Sequence, residues 1–146
     1  RISEVMKVLP EERVIATYGD GLANVSIKKL LDFHACHGKL ATVTAVRPPA
    51  RFGYMKIEEN TVTHFGEKNQ SDEGWINGGF FVLESQVADY VKSLDEPFES
   101  GALVRLAAES NLMAYHHESF WQPMDTLRDK MALEEIWQQG SAPWVR

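Results

Sequence analysis

A single cysteine, Cys36, stands in the 146 residues, so no disulfide can form within the chain. Long apolar runs are missing too. None approaches the ~20 residues that a membrane-spanning helix needs, and no apolar core of a secretory signal follows Arg1-Ile2-Ser3-Glu4. The expectation is a cytoplasmic protein without a membrane partner. Basic charge is in short supply: 15 Lys and Arg against 21 Asp and Glu leave a net charge of −6. That balance argues against nonspecific binding to nucleic acid or anionic lipid. It leaves room for a few placed cations to hold a small phosphorylated ligand. Internal repeats and low-complexity tracts are absent as well. What is present is an ordinary globular composition, 44% hydrophobic. The length suits one domain, residues 1–146, with a core of its own.

Residues 3–9 read as a helix that Pro10 closes. Residues 13–18 carry Val14, Ile15 and Ala16 in a row, as a buried strand does, and Gly19-Asp20-Gly21 then forces a turn. Ser26 suits a helix N-cap, Ile27, Leu30, Leu31 and His34 mark one helical face, and Gly38 suits the residue just past the helix end. Residues 40–46, rich in Val and Thr and ended by Pro48-Pro49, form the next strand. This strand–helix–strand order predicts a parallel crossover. Strands follow over residues 53–57, 61–65 and 75–83, the first two joined by a Glu58-Glu59-Asn60 hairpin turn. Residues 86–94 and 101–109 read as helices and 111–116 as a last strand. The segment from Asp125 reads as a final helix, with Leu127, Met131, Leu133, Ile136 and Trp137 as its apolar side and Gly140 as its stop. The sum is an α/β fold: a mixed, mostly parallel Rossmann-like sheet with flanking helices.

Two segments gather the chemistry: Ala16-Thr17-Tyr18-Gly19-Asp20-Gly21 and Phe120-Trp121-Gln122-Pro123-Met124-Asp125-Thr126. Each puts a carboxylate where a strand ends, and open α/β sheets bind ligands beyond the carboxyl ends of their strands. Two such aspartates, brought together by the fold, suit one Mg²⁺ held against a nucleotide phosphate. Asp20 is equally at home in a turn built for backbone geometry, and Asp125 in an N-cap. Asn77-Gly78-Gly79 interrupts a hydrophobic strand, which predicts a bulge or a close backbone approach. Glu67-Lys68 ends a strand and offers acceptors for sugar hydroxyls and a mobile point charge for a phosphate. The plain alternative is an exposed charged pair. His34, Cys36 and His37 lie on one helix, but only the two histidines share a face and no second ligand pair follows, which argues against zinc. His116-His117 lacks a partner motif. Trp121, Trp137 and Trp144 read as core or interface aromatics.

The segments around Asp20 and Asp125, with Ile76-Asn77-Gly78-Gly79-Phe80-Phe81 between them, make the chain resemble the glucose-1-phosphate cytidylyltransferases over nearly its whole length. These are sugar-phosphate nucleotidyltransferases. The resemblance implies the nucleotide-diphospho-sugar transferase fold. It also implies Mg²⁺-dependent nucleotidyl transfer from CTP to glucose 1-phosphate, giving CDP-glucose and pyrophosphate. Residue by residue, it implies that Asp20 and Asp125 ligate Mg²⁺, that Lys68 contacts the sugar phosphate, and that Glu67, Asn77, Gly78 and Gly79 hold the hexose. Arg51-Phe52-Gly53 looks like the family's loop beside sugar and nucleotide, so Arg51 and Gly53 join the substrate site. Arg51 fits a solvated loop cation as well. Trp121, near the metal aspartate, would close the sugar pocket. The run Phe-Trp-Gln-Pro-Met-Asp-Thr-Leu-Arg-Asp ending at Asp129 is close to the cytidylyltransferase form and is the main reason for CTP.

Three departures accompany the resemblance. Asn69 replaces the proline of the family's Glu-Lys-Pro. Phe98-Glu99-Ser100-Gly101-Ala102 stands where the family has a Glu-x-x-Pro-Leu helix start. The Gly-rich loop with its Arg and following Lys, which binds the triphosphate, has no counterpart in these residues. The expectation is that this chain is inactive alone and corresponds to the middle and C-terminal part of the family pattern. Alternatives are a missing half supplied in trans, a noncatalytic sugar-nucleotide-binding or oligomerisation module, or another hexose-1-phosphate nucleotidyltransferase using dTTP, UTP or ATP. The bare edge of the strand at residues 13–18 argues for a homo-oligomer.

Overall fold

The computed structural model describes residues 2–9, 13–48, 53–67, 74–93 and 95–145. In chain order its elements are α1 (Ile2–Val8), β1 (Arg13–Thr17), β2 (Gly21–Ala23), α2 (Ile27–His37), β3 (Ala41–Val46), β4 (Gly53–Glu58), β5 (Thr61–Glu67), β6 (Ile76–Glu84), a 3₁₀ helix (Ser85–Tyr90), α3 (Ala102–Ala108), β7 (Leu112–His117), β8 (Trp121–Pro123) and α4 (Leu127–Gln138). Four strands form the main sheet in the order β1-β6-β3-β7. β6 runs antiparallel to both β1 and β3, while β3 and β7 are parallel. β1, β3 and β7 therefore point the same way, as the crossover reading requires. Three of the four strands are thus parallel in direction, in the mixed sheet expected, and β6, inserted between β1 and β3, makes two of the three described pairings antiparallel. β1 is an edge strand, with Ile15 46% exposed.

Alternation along β3 divides the layers. Ala41 and Val43 face a core of Met6, Phe81, Leu83, Val87, Leu103 and Leu106, which closes α1, the 3₁₀ helix and α3 over one side of the sheet. Each large apolar side chain there contributes about 1.5–3 kcal/mol by leaving water. Thr42 turns to the opposite side, where its hydroxyl meets His34 of α2 at 2.8 Å. α2 is bounded as its sequence predicts. Ser26 Oγ accepts from the Lys29 N–H at 3.4 Å, and Gly38 ends the helix at φ +63°.

Three expectations shift. In place of the α-helix expected over residues 86–94, Ser85–Tyr90 form a short 3₁₀ helix, because a single anchor, Val87, is buried there and Val91 N–H bonds back to Ala88 at the tighter spacing. The N-cap of α4 is Thr126, not Asp125. Thr126 Oγ1 accepts from Asp129 N–H at 3.1 Å, and the Asp129 carboxylate accepts from Thr126 N–H at 3.0 Å. The apolar side of α4 splits: Leu133 is buried and Ile136 half-buried, whereas Leu127, Met131 and Trp137 are exposed. Steps of about 100° per residue place Leu127 and Met131 opposite the Leu133–Ile136 stripe. Among the described residues no helix is long and apolar enough to cross a membrane.

Candidate active site

β2 and β8, three residues each, make a separate antiparallel ribbon with Gly21 opposite Pro123 and Ala23 opposite Trp121. The pairing continues past the strands, since Met124 N–H donates to the Asp20 carbonyl at 2.7 Å. Asp20 immediately precedes β2, and Asp125 immediately follows Met124. The fold thus sets the two aspartates at one end of one ribbon, though they lie 105 positions apart (125 − 20). Among the described residues no group of three or more His, Cys, Asp or Glu could hold a metal ion. Two carboxylates alone suit Mg²⁺, which keeps waters and takes substrate phosphates as its remaining ligands, and do not suit a closed structural zinc.

The glycine segment is bulged, as expected. Val43 pairs with Phe81 and Ala45 with Asn77, so Gly78, Gly79 and Phe80 stand opposite Thr44 alone. A Cβ on Gly78 would lie 2.7 Å from Val46 Cγ1, and Gly79 has φ +79° with Tyr18 Cδ2 2.6 Å from where its Cβ would be. The bulge is held from both aspartate segments. Tyr18 N–H donates to Gly79 O at 2.9 Å, and Trp121 Nε1–H donates to Gly78 O at 2.9 Å. Asn77, Gly78, Gly79 and Trp121 therefore share one neighbourhood with Asp20 and Asp125.

Asn77 is oriented by the same lattice of bonds. Its Oδ1 accepts from Gly79 N–H at 2.8 Å and its Nδ2 donates to the Tyr18 hydroxyl at 2.9 Å, leaving a second amide hydrogen. The Tyr18 hydroxyl in turn donates to the Glu99 carboxylate. Burial, then the Glu99 carboxylate, push the phenol well above its ordinary pKa, and the charge of Asp20 adds to this. Tyr18 thus stays a donor at every physiological pH. Tyr18 and Glu99 also line a cleft of ≈ 670 Å³ with Thr17, Pro97 and Phe98, a size suited to a small-molecule site.

Gly53 and Glu67 lie opposite each other at the base of the β4–β5 hairpin. Arg51 and Lys68 fall outside the described residues. Tyr18 and Glu99 were missed in the sequence. Tyr18 adjoins Gly19-Asp20, but nothing local says that its hydroxyl spans to β6, and Glu99 is reached only through the tertiary fold.

Residues 2–129 match the Nucleotidyl transferase family, and the chain belongs to it. Within that family it is similar to the glucose-1-phosphate cytidylyltransferase of Salmonella typhi, 48% identical over 144 residues that make up 99% of this chain and 55% of that protein. It is also similar to a protein of Bacillus subtilis named as a probable glucose-1-phosphate cytidylyltransferase, 38% identical over 99% of this chain and 57% of that one. The chain spans a little over half the length of these relatives. The crystal structure of HddC from Yersinia pseudotuberculosis superposes with a TM-score of 0.61 at 16% identity, covering 93% of this chain and 60% of that one, which shows a shared fold.

Proposed function

We propose that this chain supplies the metal-binding and hexose-phosphate-binding side of a glucose-1-phosphate cytidylyltransferase. In that reaction a phosphate oxygen of glucose 1-phosphate bonds to the α-phosphorus of CTP. The bond to the β-phosphate oxygen breaks, and pyrophosphate leaves with the electron pair. The observation that supports the reading is the Met124–Asp20 backbone bond at the end of the β2–β8 ribbon, which brings the Asp20 and Asp125 positions to one end of it. The 48% identity to the Salmonella typhi relative favours CTP among the triphosphates.

Asp20 and Asp125 would hold Mg²⁺, which would supply positive charge against the phosphates. The remaining work belongs to the chain's own groups. Asn77 keeps one amide hydrogen for a hexose hydroxyl, while Gly78 and Gly79 let the sugar approach the backbone. The Trp121 indole N–H fixes that backbone through the Gly78 carbonyl. By the family resemblance Lys68 would contact the sugar phosphate and Glu67 the sugar hydroxyls. No side chain acts as base, because the attacking phosphate is already ionised. Charge placement therefore does most of the catalytic work. On this reading these residues bind CDP-glucose.

The test is a thermal shift with CDP-glucose and Mg²⁺. A ligand at 100 times its Kd stabilises the native state by ~2.7 kcal/mol. A shift that requires Mg²⁺ and disappears in both Asp20→Asn and Asp125→Asn supports the reading. No shift at millimolar ligand, from a chain that melts cooperatively, sinks it.

A further inference from the structure

The segment at residues 47–75 leaves and re-enters the sheet at one point. Val46 ends β3 and pairs with Ile76, the first residue of β6, so Arg47 and Trp75 are the next residues outward. The described strands between them, β4 and β5, pair with each other and with no other described strand. A lone two-stranded hairpin is marginal in water. This one leaves Met55, Ile57 and Val62 51%, 55% and 50% exposed, so it gains little from burial. Among the described residues, its link to the sheet is its root.

At that root the Arg47 guanidinium sits 4.4 Å from the centre of the Trp75 ring. The His116 ring lies 4.5 Å from the Trp75 ring, tilted by 39°. His116 is itself fixed opposite Ala45 in the β3–β7 pairing. The residue just past β3, the residue just before β6 and a residue of β7 thus each contribute one side chain to a single stack. It stands at the edge where β3 and β7 end and where Asn77 begins the bulge.

We propose that the Arg47–Trp75–His116 stack is a clamp that holds the root of the β4–β5 hairpin at the edge of the sheet, and thereby positions the foot of β5, at Glu67, relative to Asn77. The positioning half rests on the function proposed above; the clamp does not. Face contact is the essential feature, since a cation draws on a ring only when seated over it. A planar guanidinium fits that seat as a compact ammonium does not.

Amide hydrogen exchange, resolved by mass spectrometry, tests the clamp without ligand in the wild type, Trp75→Leu, Arg47→Met and Trp75→Phe. Exchange over residues 53–67 should rise about tenfold in the first two variants, stay unchanged in β3 and β6, and remain near wild type in Trp75→Phe, which keeps a ring. Hairpin exchange in Trp75→Leu equal to wild type overturns the clamp. A rise spread through β3 and β6 overturns it too, because that is general loss of packing. Titration of the same proteins with glucose 1-phosphate tests the positioning half. Weaker binding by Trp75→Leu, rescued in Trp75→Phe, supports it, whereas a loosened hairpin with undiminished binding overturns it. If the wild type takes up no glucose 1-phosphate, the functional reading and the positioning half both fall, while the exchange data still decide the clamp.

Discussion

Two threonines on one face of β3, two residues apart, should respond oppositely to the same substitution. Thr42 and Thr44 are both fully buried. Thr42 is the hub of a relay whose proton positions follow from one fixed donor. Lys39 N–H donates to His37 Nδ1 at 2.9 Å, so a neutral His37 carries its hydrogen on Nε2. That hydrogen goes to Thr42 Oγ1 at 2.7 Å, and the Thr42 hydroxyl then donates to His34 Nδ1 at 2.8 Å. His34 Nε2–H is left to donate to Glu84 Oε1 at 2.9 Å, and Arg13 Nε meets the same oxygen at 2.8 Å. Thr42→Val keeps the shape and deletes the hub. His34 is 2% exposed, so its orphaned Nδ1 bears an unsatisfied-acceptor cost, while partly buried His37 can recover a bond from water. The sum is about 2–3 kcal/mol of destabilisation. Thr44 Oγ1 has no hydrogen-bond partner among the described residues. Thr44→Val replaces an unsatisfied hydroxyl with a methyl and should stabilise by about 1 kcal/mol. Urea melts at pH 7.5, read as midpoint shifts at constant m, measure both. Thr42→Ser, which keeps the hydroxyl, should lose only about 0.8 kcal/mol for its methyl. A Thr42→Val midpoint equal to wild type, or two valines that shift stability in the same direction, refutes the relay.

Acid should weaken the fold in two stages. Burial, then the charges of His34, Lys39 and Arg13, hold the His37 pKa below its ordinary value, so the unfolded chain binds that proton more readily and stability falls as pH drops through the ordinary imidazole range. Burial pushes the Glu84 carboxyl up, but hydrogen bonds from His34 and Arg13 outweigh it and leave the pKa lowered. Its contribution is complete above the ordinary carboxylate value and lost below it. Urea midpoints from pH 8 to pH 3 check this, and Glu84→Gln should flatten only the lower stage. Gly79→Ala should cost about 2–4 kcal/mol, combining a left-handed backbone with overpacking against Tyr18, and the same melts read it. Trp121→Phe deletes the donor to Gly78 O and should cost about 1 kcal/mol, while leaving tryptophan-free regions of the exchange map unchanged.

The elements that could be read from the sequence are those whose signal is local. Ser26 and Gly38 bound α2 because a cap hydroxyl and a left-handed glycine act within one turn. The Asn77-Gly78-Gly79 bulge was legible because glycine inside a strand has few other uses, and the reason for both glycines, Val46 on one side and Tyr18 on the other, is tertiary. β2 and β8 were not legible. Three residues carry too little alternation to separate from a turn, and each exists as a strand only because the other is beside it. The same limit applies to the candidate site. Asp20 and Asp125 could be named one at a time, as turn residues with a carboxylate, but their placement at one end of one ribbon depends on a pairing that neither half announces.

His34 and His37 carry the lesson further. Their i, i+3 spacing marks a shared helical face, and the chemistry of that face is set by β3 and β6, which present a threonine and a glutamate. Had the facing strands offered thiolates or further imidazoles, the same two residues would suit a metal. With Thr42 between them and Glu84 beyond, every ring nitrogen already has a partner, and a second proton on His37 would set its Nδ1–H against the Lys39 N–H. The relay lies at the end of the sheet where β1 begins and β6 finishes, remote in register from the Asp20–Asn77 end. Its role is therefore to lock α2 onto the sheet. Substitutions there should change stability and its pH dependence while leaving ligand affinity per folded molecule unchanged.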